Sequence, residues 1–200
     1  MKIIFYSIII ITCIFFQACN PVSKKMDVNS SSTPNLIISS QDRFLQMHQD
    51  TLFFHATKFS GTIFNTYPNG DTSMIGHYLN GLEEGAFKKW YPNHQLLEWR
   101  IFHLGKKVSK HLGFWEDGKP RFEFYFTQGE HDGEANEWYA NGQAYKAFHY
   151  SMGFENGSQK MWWDNGVIRA NYVVKQGKRY GLIGLKLCMT PKDSLDNTIK

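Results

Sequence analysis

Fourteen of the seventeen glycines in this chain fall in three columns that recur every 24 residues, and a register of that kind points to a tandem array. Gly81, Gly105, Gly129, Gly153 and Gly177 make the first column. Gly61, Gly85, Gly133, Gly157 and Gly181 follow four places later, with Ser109 as the exception. The third column holds Gly70, Gly118, Gly142 and Gly166, with His94 in the remaining place. Ahead of it runs an aromatic pair: Trp90 and Tyr91, Phe114 and Trp115, Trp138 and Tyr139, Trp162 and Trp163, with Thr66 and Tyr67 opening the series.

Asn69-Gly70, Asp117-Gly118, Asn141-Gly142 and Asn165-Gly166 are hairpin signals, and they predict type I′ turns with positive φ at both residues. Asn93-His94 is the variant, since His tolerates the left-handed region. After each turn the chain alternates with period two, which is a strand pattern. Phe122, Phe124 and Phe126 share a face with Ala144, Phe148 and Tyr150 of the next unit and with Ile168, Ala170, Tyr172 and Val174 of the one after. Lys146 and Glu98 are polar intrusions on that face. A unit is therefore strand, turn, strand and a Gly-x-x-x-Gly connection. About five such units of 24 residues predict an elongated all-β antiparallel hairpin array, a meander in which sequence neighbours are spatial neighbours.

A content of 42% hydrophobic and 16% aromatic residues is ample for an apolar spine. The 22 basic and 18 acidic residues are scattered, giving +4 with no cationic stripe, so no nucleic-acid partner is expected.

The N-terminus is separate. Lys2 followed by the apolar run Ile3 to Phe16 is too short to span a bilayer and reads as an export signal over residues 1–18. Its end, Phe16-Gln17-Ala18-Cys19, resembles the lipobox of bacterial lipoproteins. That resemblance implies that Cys19 is lipidated, becomes the mature N-terminus and holds the protein to a membrane; Asn20 in place of Asp favours the outer membrane by the same resemblance. Residues 19–50, with Pro21, Ser30-Ser31-Ser32-Thr33-Pro34 and Ser39-Ser40, read as lipidated cysteine plus flexible tether. Residues 51–190 are then the repeat domain with a capping strand, and 191–200 a tail. Leu52 to His55 is expected to be a lead-in strand covering the first edge of the array.

The segments Gly133 to Gly142 (GEANEWYANG) and Gly157 to Gly166 (GSQKMWWDNG) resemble the variant MORN repeat of bacterial YwqK-type proteins. The resemblance covers about Phe59 to Gly181 and implies the hairpin-array fold. It also implies an antitoxin-like or membrane-binding role at the cell envelope.

No motif for a phosphate loop, a zinc helix, a nucleophile elbow or a Cys-x-x-Cys site is present, so no catalytic residue, metal or cofactor is expected. Of the eight histidines, only His55 with His103, and His77 with His149, share a repeat position. Glu83-Glu84, His131-Asp132 and Glu155-Asn156 recur between the glycines and read as solvated turns along one edge. Cys188, alone once Cys13 leaves with the signal and Cys19 takes lipid, reads as a small buried residue of the capping strand; a reactive thiol is the alternative. Adjacent aromatics in a strand face opposite ways. The column Tyr67, Tyr91, Trp115, Tyr139, Trp163 is expected to stack structurally, leaving Trp90, Phe114, Trp138 and Trp162 as a candidate exposed binding ladder. The expectation is a lipid-anchored, non-catalytic module whose partners are the membrane and an envelope protein or glycan. The alternative is an envelope enzyme or a redox or metal accessory using Cys188 or a histidine.

Overall fold

The computed structural model describes residues 36–184, and every regular element in that span is a β-strand. Five hairpins follow one another: Gly61–Thr66 with Thr72–Leu79, Gly85–Trp90 with Leu96–His103, Ser109–Phe114 with Pro120–Thr127, Glu130–Trp138 with Ala144–Ser151, and Gly157–Trp162 with Ile168–Lys175. Each is hydrogen-bonded to the next, so the predicted all-β antiparallel meander is the observed fold. Lys178–Leu182 ends the sheet by pairing with Ile168–Lys175.

The first edge differs from expectation. Ile37–Ser39, inside the stretch read as tether, is a strand and pairs in parallel with Gly61–Thr66. Leu45–His48, Thr51–Phe54 and Thr57–Lys58 form a separate small sheet. The lead-in segment therefore caps the array by burial instead of by edge pairing: Leu52 and Phe59 pack with Ile38, Ile63 and Tyr78. Physically, Ile38 is buried among apolar neighbours when this segment joins the open sheet edge, a gain that the Ser-rich composition does not suggest, while Ile37 on the other face stays exposed.

The alternation defines the core face as predicted. Tyr78, Phe102, Phe126, Phe148, Tyr172 and Val174 are buried along the second strands, and Ile63, His111, Ala135 and Gln159 occupy one repeat position along the first strands. Rings meet from unit to unit, Phe102 with His111 at 5.6 Å, His111 with Phe126 at 4.7 Å and Phe126 with His131 at 4.2 Å between centroids. Two glycines outside the 24-residue register, Gly76 and Gly113, lie under the rings of Phe87 and Phe122, where a methyl group would overlap the ring. Their absence of a side chain is what admits those rings to the face.

The turns correct the predicted geometry. In each third-column loop the carbonyl before the turn accepts from the glycine position, as in Gly70 N–H to Tyr67 and Gly142 N–H to Tyr139, both 2.9 Å. Only that last residue has positive φ; Asn69, Asp117, Asn141 and Asn165 do not. These are three-residue loops in which a turn is followed by one left-handed residue. The Asn or Asp instead accepts from the backbone two residues on, for example Gln143 N–H to Asn141 Oδ1 at 2.9 Å. The two-residue loops with both φ positive occur at the other end of the hairpins, at Asn80-Gly81, Leu104-Gly105, Gln128-Gly129, Met152-Gly153 and Gln176-Gly177.

His94 and Ser109 hold φ of 65° and 62° where the other units have glycine. A left-handed conformation costs a non-glycine residue about 1–2 kcal/mol, offset in part by the greater unfolded-state freedom of glycine. His94→Gly and Ser109→Gly should each therefore raise stability by roughly 0.5–1 kcal/mol. Guanidinium unfolding of the full chain checks this, with Gln95→Gly, which has ordinary φ, expected to shift the midpoint the other way.

Candidate functional site

The aromatic pairs stand at a recurrent irregularity. The register shifts at Asn65/Thr66, Lys89/Trp90, Gly113/Phe114, Glu137/Trp138 and Met161/Trp162, leaving one unopposed residue on the return strand: Ser73, Leu97, Arg121, Tyr145 or Arg169. Such a bulge takes a carbonyl out of the regular ladder. The second aromatic of the preceding unit supplies its donor. Tyr67 Oη donates to the Trp90 carbonyl at 2.7 Å, Tyr91 Oη to Phe114 at 3.1 Å, Trp115 Nε1 to Trp138 at 3.2 Å and Tyr139 Oη to Trp162 at 3.0 Å. This column is structural, but it works by hydrogen bonds instead of the expected stacking; its rings pack on bulge residues, Tyr139 on Tyr145 at 5.1 Å and Trp163 under the Arg169 guanidinium at 4.5 Å.

Trp90, Phe114, Trp138 and Trp162 are each half-buried, so the candidate ladder offers part of each ring to solvent while its backbone carries the joints between units. Gly70, Gly118, Gly142 and Gly166 sit at the loop tips. Cys19 and Cys188 lie outside the described residues.

The acidic connections are occupied by local bonds. Glu84 accepts from Leu104 N–H at 2.8 Å and meets His103 Nδ1 at 3.0 Å, Asp132 accepts from Met152 N–H at 3.3 Å, and Glu155 takes Tyr172 Oη and Arg179 Nε at 3.1 and 3.0 Å. Among the described residues no three His, Cys, Asp or Glu side chains gather at metal-binding distance. Members of the register-sharing histidine pairs are engaged separately: His55 stacks on Phe44 at 4.2 Å, His77 bonds Thr62 at 2.9 Å and His149 bonds the Asn156 carbonyl at 3.1 Å.

Two buried polar residues escaped the sequence reading. Past Ala147, which opposes Lys160, the strand Gly157–Trp162 diverges from Ala144–Ser151, and Gln159 fills the gap by accepting from His149 N–H at 3.3 Å and donating to its carbonyl at 2.8 Å. His111, two units earlier at the same repeat position, turns a single atom to the equivalent gap: its Nε2 is 3.1 Å from the Ile101 nitrogen and 2.8 Å from the Ile101 oxygen, and its tautomer decides which of the two it serves. Their shared register was visible, but only the topology shows that a backbone gap lies opposite. The polar side of the same divergence is a groove of about 470 Å³ presenting Glu134, Asn136, His149, Asn156, Ser158 and Lys160. Nearer the middle of the array, Lys88 lies 5.6 Å from the Trp99 ring, and Lys110 bridges Glu123 at 2.9 Å.

Compared with known proteins, the chain matches no family model and no curated protein at a significant level.

Burial holds the pKa of His77, His111 and His131 below the ordinary imidazole value of 6.5, with Lys88 adding to the effect at His77, Arg100 and Lys107 at His111, and Lys107 and Lys146 at His131. Below 6.5 the folded protein thus binds fewer protons than the unfolded chain. Stability is full above that pH and falls as pH drops toward the depressed values. The guanidinium midpoint should accordingly fall between pH 7.5 and 5.5, and His111→Gln, which reproduces Gln159 in the equivalent position, should keep the fold and make that decline shallower.

Proposed function

We propose that this chain is a lipid-anchored, non-catalytic MORN-like binding module of the bacterial cell envelope, tethered through Cys19. The observation that carries the reading is how the repeat signature is used. Its glycines, turn Asn and Asp residues and second aromatics all serve loops or joints between units, while on the face opposite the core the repeat positions Ala86, Lys110, Glu134, Ser158 and Lys88, Leu112, Asn136, Lys160 change from unit to unit. Repeat arrays that stack this way present extended surfaces whose variable positions meet a partner. The groove of Glu134, Asn136, His149, Asn156, Ser158 and Lys160, with the half-buried Trp138 and Trp162 nearby in the same hairpins, offers donors, acceptors and aromatic area together. That mixture suits a polar protein segment or a glycan of the envelope.

The anchor and the surface are tested separately. Cys19→Ala should abolish metabolic incorporation of palmitate and move the protein out of the membrane fraction; unchanged labelling would refute lipidation at this residue. Pulldown from detergent-solubilised envelope should lose specific partners when Trp138→Ala and Trp162→Ala are combined with Lys160→Ala, provided circular dichroism shows an intact sheet. A folded triple variant that retains every partner would rule out this surface.

A further inference from the structure

Midway along the array the core face opens into a pocket of about 130 Å³. One wall is apolar: Phe122 and Phe124 are stacked, with centroids 4.7 Å apart and planes 11° from parallel, and Phe126 adjoins them. The other wall is made by Arg100, Lys107, His111 and His131. Lys107 and His131 are 24 residues apart, the same repeat position in successive units, which is why they become neighbours across the sheet.

Three buried side-chain atoms in this region have no hydrogen-bond partner: Arg100 Nε and His131 Nδ1 in this wall, and Glu98 Oε2, which Arg100 approaches through Nη2 and not Nε. Arg100 Nε–H is a donor in every state and His131 Nδ1 is one in its Nδ1–H tautomer; a buried donor left unpaired costs about 1–3 kcal/mol, more when charged, so an acceptor placed at Nε relieves the site. The local charge calls for an anion. Arg100 Nη2 is 2.8 Å from Glu98, but Glu98 is shared with Arg121 Nη2 at 2.7 Å, so two guanidiniums face one carboxylate. Lys107 is in no ion pair among the described residues and rests its ammonium 5.1 Å from the Phe126 ring. Glu83, one repeat before Lys107, is itself half-buried, and desolvation raises its pKa, which weakens it as a counter-charge. Water alone, for which there is room for about four molecules, would satisfy the donors and leave the charge.

The geometry points to this pocket as a binding site for a small monocarboxylate with an apolar body. Its oxygens accept from Arg100 Nε and from His131 in its Nδ1–H tautomer, its charge faces Lys107, and its apolar body packs against the wall of Phe122, Phe124 and Phe126. Charge-assisted bonds of this kind are about twice as strong as neutral ones, and the apolar wall favours a carboxylate with a hydrocarbon body over a hydrated tetrahedral ion.

Benzoate is the probe, titrated by calorimetry into the detergent-solubilised full chain at constant ionic strength and pH 7, with His ring resonances followed by NMR. Saturable binding is expected, with the His131 resonances moving. Benzamide, the same shape without the charge, should bind at least about tenfold more weakly. Arg100→Lys keeps the charge but removes Nε, and should weaken benzoate about tenfold; Lys107→Gln, at an exposed position that spares the fold, should weaken it severalfold. Equal binding of benzamide, tighter binding of sulfate than of benzoate, or unchanged affinity in a folded Lys107→Gln protein would each overturn the assignment, as would absence of saturable binding by the folded wild type.

Discussion

The hydrogen bond from an aromatic side chain of one hairpin to a bulge carbonyl of the next is the contact on which the array depends. A two-stranded hairpin is at best marginally stable in water, so each unit has to be completed by its neighbour. The bulge leaves a carbonyl outside the strand ladder, and the ring one unit earlier reaches it, from Tyr67 to Trp90 and onward to Tyr139 and Trp162. At the opposite end, Gly105, Gly129 and Gly153 donate their N–H to the previous connection, at Glu83 and Lys107, both 2.9 Å, and at His131, 2.8 Å. Two rows of bonds, one at each end of the hairpins, thus fix the offset between units as firmly as the strand pairing does between them.

The middle of the sheet departs from a purely apolar core. Glu98 is buried, and its carboxylate is held by Arg100 and Arg121. Removing either arginine would leave charge in a partly desolvated site, a far larger penalty than the pair's own net contribution. His111 and Gln159 are likewise buried polar groups with a backbone task at a diverging strand, Gln159 bonding both the N–H and the carbonyl of His149 and His111 meeting the Ile101 backbone through Nε2. The same central region holds the unpartnered Arg100 and His131 nitrogens, beside the pocket lined by Phe122, Phe124 and Phe126.

Much of this was legible in the chain. The 24-residue register gave the hairpins, their order and the buried face, because strand alternation and loop glycines are local consequences of backbone sterics. The loop types were exchanged: Asn-Gly dipeptides suggested two-residue turns, yet those occur at Leu104-Gly105 and Met152-Gly153, whose first residues carry no turn signature. The strand twist there selects positive φ at both positions and overrides residue preference. Ile37–Ser39 was hidden in a polar segment because a strand at an edge needs only a partner, which lies more than twenty residues away.

By itself the sequence determined the unit, its repeat and which side chains alternate inward, since all three follow from steric rules that act within about ten residues. Tertiary structure alone decided that Tyr67 and its counterparts are joints instead of a stack, that His111 and Gln159 mend gaps, and that Lys107 meets His131 and Arg100 around one pocket. Those outcomes depend on where a bulge or a diverging strand leaves backbone groups unpaired, and that is set by how neighbouring hairpins dock.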